Sequence, residues 1–266
     1  MEPYVGITGC MTPQEVRALQ QRFDMIFLDG SRKFQVGVLV SVKTLGGAKN
    51  KYPGRYPVVS EISKIFQDHQ CAFNVLHYST DDPVTLRYQM VMLAEEIAGQ
   101  HLHGFQLNVA WPEAQQLRDF HSATKRKYRI ILQLGKKAIA TMRRNPAAIA
   151  AKVASYDDFV DAVLIDESGG TGHLIDELQF TSDLIEALKK HASGIDIGYA
   201  GGLQSGKMHC IRSLLIQHPE LNLDAESGVR SLESDDLDIF EALDYLKACR
   251  SEIAVAKQIH LTMDVA

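Results

Sequence analysis

Cysteine is sparse and scattered in this chain of 266 residues: Cys10, Cys71, Cys210 and Cys249 are the only four, and no two of them form a CxxC pair. That spacing excludes a disulfide framework and a short-spaced zinc motif, and it suits reduced, mostly buried thiols. Long apolar runs are missing as well. Nothing approaches the roughly 20 residues of a membrane span. The opening Met1-Glu2-Pro3-Tyr4 has neither the basic start nor the apolar stretch of a signal peptide, so the expectation is a soluble, cytoplasmic protein with no membrane partner.

An excess of positive charge is also absent. With 28 basic against 33 acidic side chains the formal net charge is -5. No uniform attraction draws such a chain to phosphate backbones, so nucleic acid is not an expected partner. No HExxH or clustered His/Asp pattern suggests a metal, and neither a metal nor another cofactor is expected.

What the chain has is apolar content and regular alternation. Hydrophobic residues make up 45 %, enough over this length to bury one large core. Apolar, β-branched runs begin near residues 4, 36, 72, 104, 129, 162, 195 and 221, and helical patterns separate them. Of the two apolar runs Met25 to Leu28 and Val36 to Val42, the second is the better strand. Helix starts are legible at Thr12-Pro13-Gln14-Glu15, at Asp82-Pro83 and at Asn145-Pro146, each an N-cap residue followed by a proline at the first helical position. Helices are expected near 13 to 23, 59 to 69, 82 to 98, 112 to 121, from 146, 180 to 191, 205 to 217 and 237 to 257. Residues 43 to 57, broken by Gly46-Gly47, Pro53-Gly54 and Pro57, read as a long mobile loop.

Eight β/α units without a composition break predict an α/β protein built as one (β/α)8 barrel over residues 1 to 266, close to the ~250 residues typical of that fold. The competing doubly wound sheet calls for GxGxxG after its first strand, and Gly6-Ile7-Thr8-Gly9-Cys10-Met11 lacks it. In a barrel the reactive groups belong at the carboxyl ends of the strands, where a phosphate commonly sits by the last two loops. Three glycine turns fall at such ends: Gly169-Gly170-Thr171-Gly172, Ala200-Gly201-Gly202-Leu203 and Glu226-Ser227-Gly228-Val229. Their accessible amides suit an anion. Gly170, Thr171, Gly172, Gly201, Gly202, Ser227 and Gly228 are therefore the candidate phosphate-binding residues of a small phosphorylated substrate.

These turns, with Leu164-Ile165-Asp166 before the first and Asp224-Ala225 before the last, resemble the strand ends of the phosphoribosylanthranilate isomerase family of tryptophan biosynthesis. The resemblance is strongest over residues 160 to 230, with fainter echoes at Gly104-Phe105-Gln106-Leu107 and Pro53-Gly54-Arg55-Tyr56. It implies a cofactor-free Amadori rearrangement, in which an acid opens a furanose ring and a base removes the C2 proton. By the resemblance Asp166 is the acid and Arg55 positions substrate. The family's base is a strand-one cysteine, and here Thr8 stands in its place. Cys10, two residues on, would share the inward face of Thr8 if the strand continued through Gly9; otherwise it fills the barrel rim. His77 and His173 are further candidate acceptors, and Arg230 replaces a glutamate of the family motif. Lys136 and Lys137 follow strand five at the active end, whereas Lys125-Arg126-Lys127 reads as a solvated turn. The competing expectation is a divergent barrel that binds a phosphorylated ligand, or acts on another phosphosugar, without this isomerase activity.

Overall fold

The computed structural model describes residues 2–156, 158–168 and 178–263. Eight parallel strands close into a barrel: β1 Tyr4–Thr8, β2 Lys33–Ser41, β3 Ala72–Ser79, β4 Gly104–Leu107, β5 Arg129–Gly135, β6 Ala162–Asp166, β7 Asp196–Ala200 and β8 Asn222–Ala225. Each pairs with its sequence neighbour, and β1 closes the ring on β8 through Val5 with Leu223 and Ile7 with Ala225. The expected (β/α)8 barrel is thus the fold. Its strands start within three residues of where the apolar runs place them.

Alternation along the strands divides the core in two. Outward residues such as Val5, Ile7, Val36, Val38, Leu76, Phe105, Leu132 and Ile165 pack in one continuous layer under the surrounding helices. Inside the ring, Tyr4, Ile131, Ala162, Leu164 and Ala200 make a smaller apolar plug with Phe73 against it. Above that plug the inward positions turn polar, and these positions build the site.

Helix α1 (Pro13–Ile26) begins as its sequence dictates. Thr12 Oγ1 accepts from the Glu15 amide at 3.2 Å and Glu15 Oε2 accepts from the Thr12 amide at 2.8 Å, two otherwise orphaned donors satisfied reciprocally. Its buried face is Val16, Leu19, Gln20 and Phe23. Asn145 likewise accepts from the Ala148 amide and opens the helix Pro146–Ala154.

Other helical stretches come out shorter or tighter than their patterns suggest. The expected helix over 59 to 69 is a 3₁₀ turn at Val59–Glu61 and one α turn at Ile62–Ile65. Gln67 ends it by donating from Nε2 to the Lys64 and Ile65 carbonyls. The first half of the 205 to 217 helix is a 3₁₀ coil, Ser205–Ile211, before the α turn Arg212–Gln217. Conversely, the basic connection after β5 holds a helix, Lys136–Thr141. The 43 to 57 segment carries a helical turn at Val42–Leu45, capped by Ser41, and a 3₁₀ turn at Pro53–Arg55. No helix among the described residues is long and apolar enough to cross a membrane.

Candidate active site

The inward side chains near the carboxyl ends of the strands form one hydrogen-bonded row. Gln133 Nε2 on β5 donates to Asp166 Oδ2 at 2.8 Å. A carboxylate oxygen can only accept, so the orientation of the Gln133 amide is fixed and its Oε1 faces His77 Nε2 at 2.9 Å. His77 Nε2 must then carry a hydrogen to meet that oxygen. Its Nδ1 lies 3.5 Å from Gln106 Nε2, and Gln106 Oε1 in turn accepts from Gln35 Nε2 at 3.3 Å. The row runs from β2 through β4, β3 and β5 to β6 with one consistent donor direction, and it ends on Gln35 Oε1, which has no partner.

Asp166 accepts two further bonds at Oδ1, from the amide and hydroxyl of Ser168 at 3.0 and 2.6 Å. Both carboxyl oxygens are therefore held as acceptors by three donors. Across the barrel, Asp224 on β8 is 4 % exposed and accepts from Thr8 Oγ1 at 3.1 and 2.9 Å. Burial raises its carboxyl from 3.8 to about 8 against the Thr8 hydrogen bond, with the Glu226 and Asp166 charges adding to the rise. Asp224 is accordingly protonated over much of the neutral range.

Two cavities meet here. The inner cleft is lined by His77, Gln106, Asp166, Asp224 and Glu226 together with the turns Gly201-Gly202 and Glu226-Ser227. His77, Asp166 and Glu226 also border an outer mouth of about 580 Å³, whose wall includes Arg55, Tyr56, Asn108, Lys136 and Lys137. The two glycine turns are in direct contact: a Cβ on Gly228 would lie 2.1 Å from the Leu203 carbonyl oxygen. A Cβ on Gly201, whose φ is +105°, would lie 3.1 Å from Asp166 Oδ1. Close packing of the last two loops on each other and on the start of the strand-six loop thus requires these glycines. The amides of Gly202 and Leu203 bond no other backbone carbonyl among the described residues.

Arg55 reaches the mouth from the β2–β3 connection and is 6 % exposed. Its Nε and Nη2 grip Asp235 at 2.8 and 2.6 Å, and Nη1 reaches Glu226 at 2.8 Å and Ser227 Oγ at 3.2 Å. Burial opposes its charge, but the bonds to Asp235 and Glu226 outweigh it and hold the guanidinium ionised. Tyr52 lies beneath the guanidinium, 4.3 Å from ring centroid to Cζ. Arg230 follows the Ser227-Gly228-Val229 turn. It is buried, donating to the Gly9 carbonyl at 3.0 Å and the Asp235 carbonyl at 2.7 Å, and so ties the end of β1 to the loop after β8.

The structure places the residues expected from sequence unevenly. Asp166, Arg55, Gly201, Gly202, Ser227 and Gly228 come together at the mouth, with Thr8 beneath them. Gly170, Thr171, Gly172 and His173 lie outside the described residues. Cys10 departs from the expected shared face. Strand β1 ends at Thr8, and Gly9 with φ +99° turns the chain. Cys10 is fully buried in the outer apolar layer, its Sγ directed at the Ile7 carbonyl, and burial pushes its thiol well above its ordinary value. Asp224, Glu226, Gln35 and Gln133 were not singled out as site residues in the sequence. The signal for the glutamines was a polar residue at an inward position of an otherwise apolar strand.

No protein-family model matches the sequence, and no curated protein matches it. Among solved structures, the chain is similar to phosphoribosyl anthranilate isomerase in complex with reduced 1-(o-carboxyphenylamino)-1-deoxyribulose 5-phosphate. The TM-score is 0.57 at 13 % identity, over 94 % of this chain and 99 % of that one. It is also similar to triosephosphate isomerase from Bartonella henselae, with a TM-score of 0.53 at 10 % identity, over 96 % and 100 % of the two chains. At these identities the likeness establishes the (β/α)8 fold.

Proposed function

We propose that the protein is an aldose–ketose isomerase of a phosphorylated aminosugar, carrying out the Amadori rearrangement of phosphoribosylanthranilate isomerases without a cofactor. One observation carries the reading: two carboxyl groups in contrasting surroundings, Asp224 buried with its pKa raised to about 8 and Asp166 accepting from Gln133 and Ser168, line one cleft beside the glycine turns. Paired carboxyls with opposed environments divide acid and base work between them.

Asp224 donates its proton to the furanose ring oxygen, the C1–O bond breaks, and the substrate nitrogen takes up the positive charge as an iminium. Asp166 then removes the C2 proton, giving an enol that tautomerises to the aminoketose. The resemblance gives Asp166 the donor's part. The directions of the hydrogen bonds around it favour the acceptor's part, and the fully buried Cys10 takes none. Thr8 serves by orienting Asp224. The phosphate takes the amides of Gly202, Leu203 and Gly228 with Ser227 beside them, and the neutral state of Asp224 removes one negative charge from the path of a dianion.

Fluorescence-monitored turnover of phosphoribosylanthranilate, backed by complementation of a tryptophan auxotroph, tests the reading. Wild-type protein should convert substrate, and Asp166→Asn and Asp224→Asn should each lower kcat by about 10²–10⁴-fold. No turnover by well-folded wild-type protein would overturn it. The specific observation favouring the second reading, a phosphosugar-binding barrel without this activity, is Thr8 at the end of β1. Binding of a ribulose 5-phosphate analogue without turnover would support that alternative.

A further inference from the structure

The barrel carries a second cluster of reactive side chains at the end of β3 opposite the mouth. Helix α1 brings Asp24 near its carboxyl-terminal end against the turn that precedes β3, where His69 and Cys71 stand two residues apart. Cys71 Sγ lies 3.1 Å from His69 Nδ1, and His69 Nε2 lies 3.4 Å from Asp24 Oδ2. One ligand atom from each of the three falls within 4.8 Å of the others.

We propose that Asp24, His69 and Cys71 form a binding site for a thiophilic divalent cation of the zinc type. Metal–ligand distances of about 2.0–2.3 Å around a tetrahedral ion place neighbouring ligand atoms roughly 3.3–3.6 Å apart; the 3.1 and 3.4 Å contacts use opposite ring nitrogens of His69, so an ion would take one of them and draw the three ligand atoms, now within 4.8 Å of one another, together by up to about 1 Å. The ligand chemistry is matched: one thiolate and one carboxylate neutralise a divalent charge, and a neutral imidazole completes three protein ligands. Cys71 exchanges its thiol proton for the metal and releases it to solvent. The Asp24 and His69 side chains are 35 and 27 % exposed while Cys71 is buried. The ion would therefore sit at the surface, with water as fourth ligand. Lys33, the nearby cation, is occupied by the Gln70 carbonyl at 3.0 Å and by Glu2 at 3.4 Å.

The site lies at the amino-terminal end of β3, the face of a barrel that serves stability, whereas chemistry belongs to the other. Bound metal would staple α1 to the start of β3 and leave the mouth untouched. No linear motif announces it, because Asp24 joins His69 and Cys71 only when the first two β/α units pack.

Titration of the chelator-treated full chain with Co²⁺ tests the site, since a thiolate ligand gives a near-ultraviolet charge-transfer band. The expected result is one cobalt per chain with that band, displacement by Zn²⁺, and a zinc-dependent rise in Tm. Cys71→Ser should abolish the band, and the half-exposed Asp24→Asn should weaken affinity by about tenfold or more with an unchanged circular dichroism spectrum. Cys210→Ser is the control, because Cys210 Sγ also lies near a histidine, 3.5 Å from His209 Nε2. The absence of a band at stoichiometric cobalt, its survival in Cys71→Ser, or its loss in Cys210→Ser would each overturn the assignment.

Discussion

Replacing Asp224 by asparagine makes the sharpest demand on the physical reasoning. The carboxyl is held at about 8 in the folded protein and returns to about 3.9 when the chain unfolds. Between those values the folded state keeps a proton that the unfolded state has lost. Folding stability therefore falls as pH rises, at about 1.4 kcal/mol per pH unit, and the loss levels off above pH 8. The cumulative cost is roughly 6 kcal/mol at most, since local relaxation and water entry reduce it. Asparagine is neutral throughout and nearly isosteric, and it can still accept from Thr8 Oγ1. Urea unfolding of both proteins at several pH values isolates the effect, because titrating groups not coupled to Asp224 cancel in the difference. The variant should gain on the wild type by about 3 kcal/mol between pH 5 and 7.5. A stability difference that stays flat over that range would refute the claim that burial keeps this carboxyl protonated.

Gln133→Leu should free the His77 tautomer, so ¹⁵N NMR should show Nε2–H in the wild type and a tautomer mixture in the variant. Gly9→Ala should cost about 1–3 kcal/mol in chemical denaturation, from the positive φ and from a Cβ that would fall 1.7 Å from Arg230 Nη2. Arg55→Met, which leaves Asp235 and Glu226 without their guanidinium, should cost about 1.5–3 kcal/mol, measured by the same method. Burial of Phe105, stacked edge-on to Phe120 at 5.5 Å, makes Phe105→Ala worth about 3–5 kcal/mol in a thermal melt.

Much of the barrel could be read from the chain because its signals are local. A strand with both faces buried shows as a continuous apolar run, and a capping box needs only four consecutive residues. The expected helix over 59 to 69 failed for a local reason of another kind, since one glutamine side chain satisfies the carbonyls that continued helix would have used. The site was legible only in part. Asp166 and the glycine turns stand at strand ends, where position alone marks them. The protonated state of Asp224 depends on enclosure by the closed ring, working against a hydrogen bond from Thr8, 216 residues away in sequence, and neither is encoded by alternation or spacing. Cys10 went astray on one dihedral: a glycine at φ +99° breaks the period of two on which the shared-face argument rested.

The row of amides across the floor of the mouth has a consequence for how far a protonation event travels. When Asp166 takes up a proton on Oδ2 it becomes a donor, and Gln133 must rotate its carbonyl toward it. Gln133 then offers an amide hydrogen to His77, whose own hydrogen must move to the opposite ring nitrogen; Gln106 and Gln35 turn in sequence, and the unpartnered oxygen of Gln35 acquires a bond. Loading one wall of the barrel is thereby communicated across four further strands by side-chain rotations and one tautomer shift at His77, with no displacement of the backbone.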